Sequence, residues 1–310
     1  MIEITNFGWI FAAILAAIFQ TFRTAYQKKL ISLFGDFGSA YTRFIMAFPF
    51  TILLWIGCLI YERNGLPNLS LETLLYCVLG SFFQVIFTIA LMNSFNYKNF
   101  ATGVAFSKID VLFAALIEIL ILNVVITNQV IIGICIGSVS VLFLSFAKTS
   151  ENIFEAFSSV VKSFVSIGTP VGLLAGLAIT LSQIFFRLSI VSMDGSLLNR
   201  SLFLSVISLL FQIFVFGLYL YYFKKEEFFL IFKNLKACIP VGISGTGATV
   251  FWFIGFGLAT VAEVKAVGQV ELIFSVLISI FIFRERIRFN EFFGILLLSS
   301  SILIVIFDKV

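Results

Sequence analysis

Apolar runs about as long as a bilayer is thick recur along the whole chain, and nothing else in the sequence restricts its fold as much. A helix crosses ~30 Å of hydrocarbon in about 20 residues. Runs near that length fall at roughly 7–27, 40–60, 71–92, 101–122 and 128–147, then at about 168–190, 198–223, 237–258, 262–283 and 290–307. The breaks are polar, among them YERNGLPNLS, SMDGS, FKKEEFFLIFKN and FRERIRFN. A soluble domain holds about 25% charged residues. This chain of 310 residues is 12% charged and 61% hydrophobic, so its polar atoms cannot cover a core and the bilayer must be the outer solvent. An all-α membrane protein with ten transmembrane helices is expected.

Several chemistries are excluded at once. The net charge of +4 is small and spread over the breaks, which gives nucleic-acid binding no support. With no histidine, His-based zinc sites and Ser-His-Asp catalysis are absent. Cys58, Cys77, Cys135 and Cys238 sit singly in apolar runs and read as small buried hydrophobes. No metal, no cofactor and no enzymatic activity are expected. The opening MIEITNFGW lacks the basic region of a signal peptide, so the first run should be retained.

The chain reads as two copies. At a constant offset of 161 positions, Asp110 meets Glu271, Phe113 meets Phe274, Gly133 meets Gly294 and Ser138 meets Ser299. More loosely, Gly38–Arg43 (GSAYTR) resembles Gly195–Arg200 (GSLLNR), and Gln20 and Arg23 resemble Gln183 and Arg187. Five runs per copy, an odd number, would insert the second copy upside down. The expected organisation is therefore two inverted five-helix repeats, 1–149 and 168–310. Between them, 150–167 places Ile153, Phe154, Phe157, Val160, Val161 and Phe164 at helical spacing opposite Glu151, Glu155 and Lys162, the pattern of an interfacial amphipathic helix.

Ionisable groups inside the runs carry the functional expectation, because a charge in hydrocarbon costs at least ~2.5–3.5 kcal/mol and needs a partner or water. Lys108, Asp110, Gln269 and Glu271 read either as the lining of a central cavity or as a structural ion-pair network. Lys108 and Asp110 are two residues apart and cannot pair along one helix face, so their partners lie on other helices. Glu118, two turns beyond Asp110, is expected to approach the far interface. Arg23, Arg43, Arg187 and Arg200 read equally as snorkelling residues and as solute contacts. Glu263 and Lys265 read as a solvated lip. Gln20, Gln183 and Trp252 join the candidate cavity, with Trp252 also a candidate belt residue. The glycine-rich stretch Gly242–Gly257 has no GK[ST], so it is no phosphate-binding loop; its small residues favour close helix packing.

The stretch EVKAVGQVELIFSVLISIFIFRERIRFNEFFGILLLSSSILIVIF, with Arg284, Glu285, Arg286 and Gly294, resembles the ten-span EamA-type permeases of the drug/metabolite transporter superfamily. Gly133 repeats the glycine in the first copy, but Asn123, Val124 and Val125 replace the charged element. Many relatives carry proline where this chain has the Lys108/Asp110 and Gln269/Glu271 sets. The resemblance implies a secondary transporter, running without ATP, that moves a small metabolite across a bacterial inner membrane. The cationic excess points to a solute bearing a carboxylate or other anion, and Asp110 or Glu271 is a candidate carrier of a coupling proton. A membrane-embedded enzyme and a scaffold are the competing classes. Lys and Arg concentrate in the connections after odd-numbered runs, which places both termini outside the cytoplasm; the resemblance implies cytoplasmic termini.

Overall fold

The structure, a computed structural model, describes residues 2–63, 65–94, 107–147, 152–163, 168–281 and 289–308. The first residues of the fourth apolar run, the Arg284-Glu285-Arg286 element and both ends of the linker lie outside the described residues. Among those described there are thirteen helices and no strand. They are α1 (Ile2–Ile45), α2 (Ala47–Glu62), α3 (Leu71–Ser94), α4 (Asp110–Leu120), α5 (Asn128–Ala147), α6 (Ile153–Ser163) and α7 (Gly168–Val191). After these come α8 (Leu197–Phe223), α9 (Lys225–Lys233), α10 (Leu235–Leu258), α11 (Val261–Gly268), α12 (Val270–Phe281) and α13 (Phe289–Phe307).

Seven segments among the described residues are long and apolar enough to cross a bilayer: Phe7–Glu62, Leu71–Met92, Asn128–Ala147, Thr169–Val191, Leu197–Phe223, Leu235–Leu258 and Phe289–Phe307. The first is a hairpin. Gln27 Nε2 donates to the Ser39 carbonyl at 3.1 Å, and Ser39 Oγ donates to the Gln27 carbonyl at 2.6 Å. Residues twelve apart in a straight helix would be separated by ~18 Å. The chain therefore reverses between them, at Gly35, whose φ of 74° and ψ of 177° are open to glycine and strained for other residues. Glu227 on α9 fills the space beside the turn: a Cβ on Gly35 would lie 2.6 Å from its Cδ, and its Oε2 accepts the Gly38 N–H at 2.7 Å.

The fourth and ninth runs are not single long helices. In the fourth, a turn at Lys108–Ile109 precedes α4; in the ninth, α11 and α12 meet at Gln269. These two interruptions lie at the same offset of 161 as the sequence repeat. Two of the helix starts in the second half of the chain carry side-chain caps: Ser196 Oγ accepts from Asn199 N–H, and Thr260 and Glu263 form a reciprocal capping box on α11. Glu263 is thus a buried cap rather than part of a solvated lip.

Packing follows the small residues. α1 lies along α10, α3 along α7, α5 along α13 and α2 along α8. A Cβ on Gly242 would come within 2.5 Å of the Met46 carbonyl oxygen, and Thr246 Oγ1 donates to the Ala47 carbonyl at 3.0 Å. The glycine-rich stretch of α10 thus lets α1 and α2 approach its backbone. On the other face, a Cβ on Gly133 would stand 2.6 Å from Val305, and one on Gly294 would stand 2.6 Å from Leu144. Val305 and Leu144 are themselves one repeat offset apart.

Large apolar side chains such as Phe11, Leu53, Ile60, Leu120, Phe214 and Phe307 face outward, the exterior a bilayer requires. Cys58, Cys77 and Cys238 are buried; Cys135 is not, and sits on the outer surface of α5. α6 begins at Asn152, whose Oδ1 accepts the Glu155 N–H at 2.8 Å. It buries Ala156 and Val160 against α5 and leaves Phe154 and Val161 exposed. α9 was not expected, since KEEFFLIFK read as a polar break; it buries Ile231.

Candidate functional site

The interruptions within the fourth and ninth runs bring four charged groups together. Asp110 is the first residue of α4 and Glu271 lies in the first turn of α12, so both carboxylates sit at helix N-termini, where the backbone dipole favours negative charge. Each is met by a lysine from the other half. Lys108 Nζ lies 3.6 Å from Glu271 Oε2, and Lys265 Nζ lies 3.2 Å from Asp110 Oδ2. Each also receives a glutamine amide: Gln20 Nε2 donates to Glu271 Oε2 at 2.5 Å, and Gln183 Nε2 donates to Asp110 Oδ2 at 3.4 Å. Thr180 Oγ1 donates to the Asp110 backbone carbonyl at 2.9 Å.

Around these groups is a cavity of about 170 Å³. At ~30 Å³ per water in the liquid, that is room for a few waters or one small solute. Of the residues singled out from the sequence, Gln20, Arg23, Arg43, Lys108, Asp110, Gln183 and Trp252 line it. Gln269 and Glu271 line a smaller adjoining void of about 20 Å³, together with Lys108, Asp110 and Lys265. Both amide atoms of Gln269 are buried and lack a hydrogen-bond partner among the described residues. Trp252 forms one wall: its Nε1 donates to Gln20 Oε1 at 2.8 Å, and Lys265 Nζ lies 4.7 Å from its ring. Lys265, expected at a lip, is a cavity residue.

Arg187 and Arg200 are placed elsewhere. Arg187 Nε lies 3.7 Å from Glu118 Oε1, and its Nη1 donates to the carbonyls of Phe256 and Ala259 at the end of α10. Glu118, expected near an interface, is wholly buried. Its two oxygens accept the N–H groups of Val261 at 2.8 Å and Ala262 at 2.9 Å, which satisfies the start of α11. The pair therefore clamps the turn between α10 and α11. Arg200 Nη1 donates to the carbonyls of Ile190 and Met193 at 3.1 and 2.9 Å and closes the end of α7. Sequence reasoning passed over Gln84 and Gln212, which also line the cavity. Their signal was the one that drew attention to Gln20 and Gln183, an amide in the middle of an apolar run.

A helical fold with an apolar exterior and a charged, partly hollow centre defines a polytopic membrane protein built around a small polar cavity. Residues 7–146, somewhat less than half of the chain, match the EamA-like transporter family, and that stretch is similar to its members. No curated protein matches the chain. A crystal structure described simply as that of a protein superposes with a TM-score of 0.69, covering 96% of each chain at 11% identity, a likeness of fold alone.

Proposed function

We propose that the chain is a secondary transporter moving a small polar or amphipathic metabolite, amino and organic acids included, across the bacterial inner membrane by alternating access. In this reading ten crossings form two inverted five-helix repeats, 1–149 and 168–310, joined by the interfacial linker 150–167. The observation that supports it most is reciprocity. Exchanging the halves turns Gln20–Glu271 into Gln183–Asp110 and Gly133–Val305 into Gly294–Leu144, and turns the packing of α1 on α10 into that of α7 on α3. Inverted-repeat transporters place solute and coupling sites near mid-membrane, at interrupted helices. The Lys108–Ile109 and Gln269 breaks are of that kind, and rocking one repeat on the other would open the cavity to each side in turn.

We assign the solute site to Gln20, Arg23, Arg43, Lys108, Asp110, Gln183, Trp252, Gln269 and Glu271. Arg187 and Arg200, which contact helix ends instead, are assigned to joints. Asp110 and Glu271 are the groups that would carry a coupling proton. The test is uptake of labelled amino and organic acids into proteoliposomes, with and without an imposed pH gradient. Asp110→Asn and Glu271→Gln should each lower the rate at least about tenfold, the scale on which loss of a charged hydrogen-bond partner acts. Wild-type rates in both variants would favour the network as structural only.

A further inference from the structure

The cavity holds more positive than negative charge, and the excess sits in one place. Lys108 and Lys265 are answered by Glu271 and Asp110. Arg23 and Arg43, on the two arms of the α1 hairpin, have no carboxylate within ion-pair distance among the described residues, and the Nε of each is buried without a hydrogen-bond partner. What Arg43 does touch is neutral: Nη2 donates to Thr88 Oγ1 at 2.5 Å, and its guanidinium carbon lies 4.4 Å from the Phe44 ring. Both arginines rest against α10 at Gly245, where a Cβ would stand 3.4 Å from the Arg43 carbonyl and 3.6 Å from Arg23 Cδ. The two cations are therefore held together by packing and not by charge.

Two uncompensated guanidiniums in a poorly hydrated site are costly unless an anion joins them. We infer that the cavity is a dianion site, and that Arg23 and Arg43 bind a short dicarboxylic acid of about succinate size. The guanidinium fork matches a carboxylate with two parallel hydrogen bonds. A dicarboxylate cancels the excess of two charges, and the amides of Gln84 and Gln212 in the same wall offer donors to its remaining oxygens. The inference rests on the proposed solute site but not on transport.

Calorimetric titration of the detergent-solubilised full-length protein tests it, with succinate, its monomethyl ester, succinamide and inorganic phosphate as probes. Succinate should bind, the monoester at least about tenfold more weakly, and the uncharged diamide not at all. Arg23→Gln and Arg43→Gln should each weaken succinate by about tenfold or more, and Arg43→Lys, which keeps the charge without the fork, by less than Arg43→Gln. Equal binding of succinamide and succinate, phosphate binding as tight as succinate, or no succinate binding by the folded wild type would overturn the assignment. Succinate bound but not moved in proteoliposomes would leave this site standing and remove the transport reading. Movement of neutral solutes without succinate binding would do the reverse.

Discussion

Glu118 is the residue whose surroundings differ most from its expectation. A carboxylate two turns past Asp110 looks from the sequence as though it is leaving the hydrocarbon, yet it is fully enclosed and holds two backbone amides 143 and 144 positions away. Sequence spacing reports depth along a run. It does not report that another helix begins at that depth and presents unpaired N–H groups. Removing the side chain would leave Arg187 buried beside two open donors, so Glu118→Ala should cost about 3–5 kcal/mol. Glu118→Gln keeps one acceptor but turns an amide toward an N–H, and should cost about 1–3 kcal/mol. Denaturation in mixed micelles reads both losses. Lys265 was misplaced for a related reason, since its partners Asp110 and Trp252 come from other helices.

Among elements, the paired glycines were the most legible feature. Gly133 and Gly294 stand out at the offset of 161, and each makes the same kind of contact across α5 and α13. Alanine at either should force Val305 or Leu144 aside and cost about 1–3 kcal/mol, with the two losses alike. Gly57 is the contrast. Nothing lies within 4 Å of the Cβ it lacks, so Gly57→Ala should leave stability unchanged or raise it by up to about 1 kcal/mol through helix propensity. Melting temperatures of the three variants check both expectations. Less legible were the interruptions at Lys108–Ile109 and Gln269, because a hydropathy pattern has the same period on both sides of a one-turn break. The helix α9 was hidden by its length of nine residues, too short to show a period against its charged ends.

For the whole molecule, the composition and the spacing of the runs were enough to read an all-helical membrane protein, and the offset of 161 drew attention to Asp110 and Glu271. The pairing of particular residues across that centre was not readable, since it depends on how each helix is rotated. Sidedness follows from the contacts. Asn199 Nδ2 donates to the Gly65 carbonyl at 3.4 Å, which puts the turns around Gly65 and Gly195 on one face; Gly35 and α9 share the other. Lys28, Lys29, Lys224, Lys225, Lys233 and Lys236 are exposed toward that second face, and the positive-inside rule leads to the expectation that this face is cytoplasmic. In a protein with Cys135 replaced by serine, Gly65→Cys and Asp194→Cys should react with an impermeant thiol reagent in intact cells, and Lys236→Cys only after permeabilisation. The Gly35 turn also has a history in time. The carboxylate that holds Gly38 lies 189 residues downstream, so at about 5–20 residues per second the nascent N-terminal hairpin waits some tens of seconds, on the order of 10–40, for its fastening to leave the ribosome.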